Sequence, residues 1–338
     1  MENINNINTK REVSIDVLKC IGMLLIILAH CSAPVLLDEI RNFDVILLVI
    51  LSGIVSVKSY EKSRSGFKYI KKRLIRLIVP TYIFLTILFT IDRFLSLFNK
   101  DFNLSWDTIF STYTLTWGIG YVWIIRVYIL CSISVLILMN IKKFKKTIIL
   151  ALFLIYEVLF YTVGNANGFL EYGIYYLIPY GLVCMYIGMQ LKQWNNRKII
   201  KVMLIFLLIF VIIFTYFYIT KRQFTKISDY KYPPRVYYLS YGIGISLLLY
   251  YLVDRKNIFN IKERLNNKLV LFIGQHTMWI YLWHILYLNT FAFVKFDVKW
   301  YEKYIFLVVM ATLTTYVQSK IVQKLNIKNR NIKVLFDS

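Results

Sequence analysis

Ionisable side chains inside apolar, membrane-spanning runs are costly to keep there, so they are where chemistry is sought first. The opening run carries Asp16 and Lys19 three residues apart, and His30 eleven residues beyond Lys19. On a helix rising 1.5 Å per residue, His30 is about 16 Å along the axis from Lys19, at nearly the same azimuth. One helix face would then present an acid and a base near one membrane surface and an imidazole deeper in. Imidazole is the usual general base near neutral pH, able to take a proton from a hydroxyl as its oxygen attacks. A buried histidine satisfied by a nearby carbonyl has the same spacing.

Other charged groups lie at depth. His276 and His284 are eight apart in Phe272-Ile-Gly-Gln-His-Thr-Met-Trp-Ile-Tyr-Leu-Trp-His284, which would place them on roughly one face of a single helix. Metal ligands on a helix favour spacings of three or four, and no carboxylate accompanies this pair, so no metal site is expected. Arg126 and Glu157 fall in consecutive spans and could pair, either to fix helix register or to support a cavity. Arg73 and Arg76, three apart, present two guanidinium forks of the kind that fit phosphate. Basic residues at a helix entrance also serve simply as positive-inside anchors. The stretch Lys221–Arg235 holds five basic residues and one acid, Asp229. It suits an anionic or sugar-bearing ligand, or a structured turn.

These residues must be positioned by membrane helices. The 338-residue chain is 58% hydrophobic, above the soluble average, and the excess lies in repeated helix-length runs. The expected architecture is all-α, a polytopic transmembrane bundle of about ten spans: 15–36, 43–58, 74–91, 121–139, 147–163, 169–190, 200–220, 236–253, 269–293 and 304–323. Ser105–Gly120 is expected to be an interfacial or re-entrant helix. No linker or polar block divides the chain, so one domain, 1–338, is expected, with tails at 1–14 and 324–338. Asp16, Lys19 and His30 argue against a cleaved signal peptide and for a retained first helix. Of 41 lysines and arginines, 29 fall in or beside the alternate segments that include the N-terminus, 11 in the others, and Arg126 within a span. This bias expects both termini in the cytoplasm. The net charge of +23 sits beside apolar spans, which favours anionic lipid headgroups over nucleic acid as the partner. Cys20, Cys31, Cys131 and Cys184 read as small buried hydrophobes.

Taken together, these features resemble acyltransferase family 3, integral membrane O-acyltransferases that modify bacterial surface glycans. The resemblance rests on Asp16, Lys19 and His30 in the first helix; Leu51-Ser52-Gly53 in the second; Arg73-Leu-Ile-Arg76 followed by Pro80; and Ile273-Gly274, Thr277, Ile280-Tyr281 and His284 late in the chain. It covers most of the chain in motif order. It departs from the family at Trp123-Ile-Ile-Arg126, where many members carry Glu. The resemblance implies a cytoplasmic acyl-CoA donor, most often acetyl-CoA, a glycan or lipid-linked sugar acceptor, and residence in the bacterial plasma membrane. On that basis Arg73 and Arg76 are expected to hold CoA phosphates, His30 to be the base, and Lys19 to assist, oriented with Asp16. Lys19, His284 and Arg126 are candidates for stabilising the oxyanion. His284, Arg126 and Glu157 are expected to support the cavity.

Three rival functions are a flippase or transporter for lipid-linked sugars, a non-catalytic scaffold, and a glycan polymerase. Internal symmetry and large outer loops, which the first and last would need, are not visible in the sequence. A cavity joining Arg73 and Arg76 to His30 would favour acyl transfer, and close packing around His30 a scaffold.

Overall fold

A computed structural model of the chain describes residues 12–98, 104–116, 118–162, 173–294, 298–325 and 335–336. Most of both expected tails therefore lies outside the described residues. So does the segment around 163–172, where one expected span ends and the next begins.

The described residues form helices and no strands. In order these are α1 (Val13–Leu28), α2 (Val35–Ile40), α3 (Asp44–Ser63), α4 (Gly66–Ser96), α5 (Trp106–Tyr113), α6 (Trp123–Asn140) and α7 (Lys145–Thr162). A π-helical stretch, Leu177–Cys184, then runs into α8 (Met185–Leu191). There follow α9 (Asn196–Lys221), α10 (Val236–Tyr250), α11 (Ile261–Arg264), α12 (Lys268–Gln275), α13 (Thr277–Val294) and α14 (Trp300–Lys324). Among the described residues six helical stretches are long and apolar enough to cross a membrane, seven if α12 and α13 count as one bent span.

Burial follows sequence. Along α3, Ile46, Leu47, Val49, Ile50 and Leu51 are almost wholly enclosed, as are Val17, Leu18 and Ile27 of α1, so these two helices form the centre. On α9, Ile199 and Met203 are buried, but Leu208, Val211 and Ile212 are more than half exposed, as a lipid-facing helix requires. Small residues let backbones meet where α3 crosses α8. A Cβ on Gly53 would press on the Met185 carbonyl and on Gly188, and one on Gly188 would overlap the Ile50 carbonyl.

Two expected spans are interrupted, and both interruptions shape the site. The first expected helix, 15–36, ends at Leu28. His30 then lies in a tight turn whose amide donates to the Ile27 carbonyl at 3.1 Å, and Ser32 takes a left-handed backbone with φ 55°. The expected span 269–293 breaks at His276, where α12 and α13 meet at 85°. Gly274 explains the placement: a Cβ there would overlap the Asp16 carbonyl, so α12 is seated directly on the backbone of α1. At the break, the His276 ring stacks on Phe272 at 4.1 Å and its Nδ1–H reaches the Phe272 carbonyl at 2.9 Å, satisfying an acceptor at the helix end. His276 and His284 therefore do not share the face of one helix.

At the end of the bundle holding the start of α1, charged groups tie four segments together. Glu12 meets Lys58 at 3.2 Å and also Lys192, while Asp254 accepts from Ser14 at 2.5 Å and lies 3.6 Å from Lys192. Burial alone would raise the Glu12 carboxyl; the Lys192 and Lys58 ammonium groups outweigh it and hold it below its ordinary value.

Candidate active site

The break at Leu28 turns His30 out of α1 and onto the wall of a cavity of about 490 Å³, shared with Tyr121, Asn289, Trp300 and Lys303. His30 is half-buried. Its ring meets Tyr121 edge-on at 5.1 Å and lies 5.4 Å from the ring of His284 on α13, a fully enclosed residue. The His284 Nδ1 contacts the Tyr281 carbonyl one turn back. No carboxylate pairs with either ring among the described residues; Lys303 lines the same cavity as His30, while Arg41 and Lys231 are themselves paired with Asp44.

A second cavity, about 180 Å³, is lined by Lys19, Ser52, Arg73, Tyr128, Thr277 and Tyr281. Arg73 crosses from α4 to α3, donating from Nη2 to Ser52 Oγ at 3.0 Å and Ser56 Oγ at 3.3 Å. Its Nε–H is buried with no acceptor, as is that of Arg76 one turn further along α4. A buried donor without a partner costs about 1–3 kcal/mol, which an incoming acceptor would recover. Arg76 itself does not line this cavity.

Tyr281 links the walls of the two spaces. It lines the Arg73 cavity and its ring packs 5.0 Å from His284, while its hydroxyl donates to the carbonyl of Tyr121, a wall residue of the His30 cavity, at 2.5 Å. The cavities at Arg73 and at His30 are separate among the described residues, so the joined cavity that would favour acyl transfer over a scaffold is not present.

The remaining candidates are placed as follows. Asp16 is buried on the α1–α12 contact and accepts from Gln275 Nε2 at 3.2 Å. Arg126 lies beside Gly173 and Tyr176, and lines neither cavity described above. Glu157 is not the partner of Arg126. It pairs with Arg235 at 2.9 Å and accepts the Val236 amide at 2.8 Å, which caps the start of α10. Glu157→Gln should therefore cost about 1–3 kcal/mol of stability, read as a lower unfolding temperature in detergent, with activity at permissive temperature near wild type. A loss of turnover in folded protein would contradict that placement.

Part of Lys221–Arg235 is committed internally. Lys231 is buried 3.8 Å from Asp44 and within 6 Å of the rings of Trp123, Tyr232 and Tyr238, and Arg235 is held by Glu157. Glu39 pins the middle of the segment, accepting from the Ile227 amide at 2.5 Å and from Ser228 Oγ at 2.7 Å. These contacts fit a structured turn, on which Lys221, Arg222 and Lys226 are exposed. Sequence reasoning assigned no role to Ser52, Ser56, Tyr121 or Tyr281. The Ser-Gly and Ile-Tyr-x-x-His patterns were the available signals for Ser52 and Tyr281.

Compared with known proteins, the chain matches a family model described as an acyltransferase domain over residues 12–319. No curated protein and no solved structure matches it.

Proposed function

We propose an activity from one premise: the chain belongs to that acyltransferase domain family, and its helices have the length and apolarity of a membrane enzyme. The reaction is O-acyl transfer from acyl-CoA, acetyl-CoA in the first instance, to a sugar hydroxyl of a lipid-linked or surface glycan. The observation that carries this reading is the pair of cavities whose walls are linked through the Tyr281 hydrogen bond, one lined by a phosphate-suited guanidinium and the other by an imidazole.

The donor enters from the Arg73 side, which the positive-inside bias assigns to the cytoplasm. The cavity there is below the size of ordinary ligand pockets, so it admits the thioester arm while the nucleotide stays outside, near Arg73 and Arg76. The acceptor occupies the His30 cavity, where Trp300 and Asn289 offer a stacking face and a hydrogen-bonding amide. Joining the two requires the Tyr281 hydrogen bond to open. His30 then takes the hydroxyl proton as that oxygen attacks the thioester carbonyl, forming a tetrahedral oxyanion. Collapse breaks the C–S bond, the imidazolium returns its proton to the CoA sulfur, and the products are a glycan ester and free CoA. Lys19 contributes positive charge at the donor side.

A scaffold would have no use for a ligand-sized cavity of about 490 Å³ at His30, and no observation favours a transporter over an enzyme. The test is purified protein in nanodiscs with labelled acetyl-CoA and lipid-linked saccharides. Label should appear in the saccharide with stoichiometric CoA release. No CoA release with acetyl- or longer acyl-CoA, across neutral and anionic acceptors, would overturn the reading.

A further inference from the structure

The two histidines at the site differ in a way that assigns them different tasks. His284 Nδ1 faces the Tyr281 carbonyl, which can only accept, so Nδ1 carries the hydrogen. A neutral ring protonated there has a bare lone pair at Nε2. That atom is enclosed and has no hydrogen-bond donor. An acceptor stranded in a dry interior costs about 1–3 kcal/mol. The ring against it is His30, whose own nitrogens make no hydrogen bond among the described residues. Two polar groups without partners thus lie side by side, 5.4 Å between ring centres. A centre-to-centre separation of 5.4 Å leaves room for an N–H···N hydrogen bond between the edges of the two rings.

We propose that His284 is the positioning residue for His30, accepting a hydrogen bond from one His30 nitrogen so that the other holds its lone pair toward the acceptor hydroxyl. The proposal rests on the acyl-transfer reading above. Tyr281 acts at one remove: its carbonyl sets the His284 tautomer, and His284 sets that of His30. The arrangement has the logic of a base oriented by a third group, with a neutral imidazole where a carboxylate is common. A neutral acceptor fixes the ring while raising its basicity less than a carboxylate would. It also removes neutral His284 from the candidates for stabilising the oxyanion, because its single N–H is already committed.

Other groups act on His30 and enter any pH measurement. Lys303 faces it from α14, Arg41 from the corner between α2 and α3, and Lys231 from the segment before α10. The phenols of Tyr121 and Tyr281 and the thiol of Cys31 lie nearby. A His284 substitution leaves all of them in place.

The chain has three histidines, so histidine labelled with ¹⁵N gives three ring systems that can be read one by one. In wild-type protein in nanodiscs, ring ¹H–¹⁵N correlations should show His284 protonated at Nδ1 and His30 in one tautomer. In His284→Ala, His30 should become a tautomer mixture, kcat/KM should fall about 10- to 1,000-fold, and the acidic limb of its pH profile should move to lower pH, because the imidazolium has lost its acceptor. In His284→Gln, whose amide oxygen can accept, the limb should return toward the wild-type position. His284 protonated at Nε2 in the wild type, or an unchanged His30 tautomer and pH limb in His284→Ala, would overturn the proposal. The ring spectra need no turnover. A wild-type protein without acyl transfer but with these tautomers would defeat the activity and leave the pairing standing.

Discussion

His30→Ala is expected to lower kcat/KM for acyl transfer by about 10²- to 10⁴-fold, the range by which a positioned general base accelerates a reaction. Acyl-CoA should still bind, because His30 and Arg73 line separate cavities. A sugar hydroxyl is a poor nucleophile until its proton has somewhere to go. Among the described residues lining the His30 cavity no carboxylate offers an alternative, and Lys303 is a cation. Lowered turnover with unchanged donor affinity is therefore the specific signature. It is read by steady-state kinetics with labelled acetyl-CoA together with equilibrium binding of a non-hydrolysable acyl-CoA analogue. Equal turnover in folded His30→Ala would remove the imidazole as base.

Arg73→Ala should act at the opposite step, weakening acyl-CoA binding about 10- to 100-fold while a saturated enzyme keeps much of its kcat. Hydrogen bonds to charged groups contribute about 1.5–3 kcal/mol, which corresponds to that change in affinity. Arg73 is held in position by Ser52 and Ser56, yet its Nε–H has no partner, so the fork is fixed and still able to donate. Lysine should not restore binding, since a point charge lacks the planar fork and could not bridge both serines while reaching a phosphate. Arg76 does not line the cavity, and Arg76→Ala should have the smaller effect. Titration of CoA into each variant by calorimetry checks the ranking. Arg73→Ala with wild-type affinity would place the nucleotide elsewhere.

Much of this architecture is legible from apolar runs and charge placement, because a bilayer forces backbone groups into helices and expels charge to the ends. The residues Asp16, Lys19, His30, Arg73 and His284 stand out for the same reason. What one sequence does not reveal is who meets whom. Glu157 looked toward Arg126 in the neighbouring span, yet its partner is 78 residues away at the start of α10. Asp16 finds Gln275 across 259 residues. The stop after Leu28 and the break at His276 fall at short polar dips, Ala29-His-Cys-Ser-Ala-Pro34 and Gly274-Gln-His-Thr277, too brief to interrupt an apolar run read span by span. At the second, Gly274 seats α12 on the backbone of α1, a contact one sequence does not show. Nothing in the sequence singles out Ser56, and Ser52 appears only within the Leu-Ser-Gly pattern; the crossing of α4 makes both the seat of a guanidinium.

The tyrosine hydroxyl tied to the Tyr121 carbonyl has a consequence for the cell that houses the protein. An enzyme that draws a thioester from one aqueous compartment and an alcohol from the other must bore into the bilayer from both faces. Were the bores continuous at rest, protons and ions would run down their gradients through every idle copy. On the proposed reaction, the separation of the Arg73 and His30 cavities would keep the membrane insulating between turnovers, and the Tyr281 hydrogen bond is one contact an arriving thioester arm would have to break.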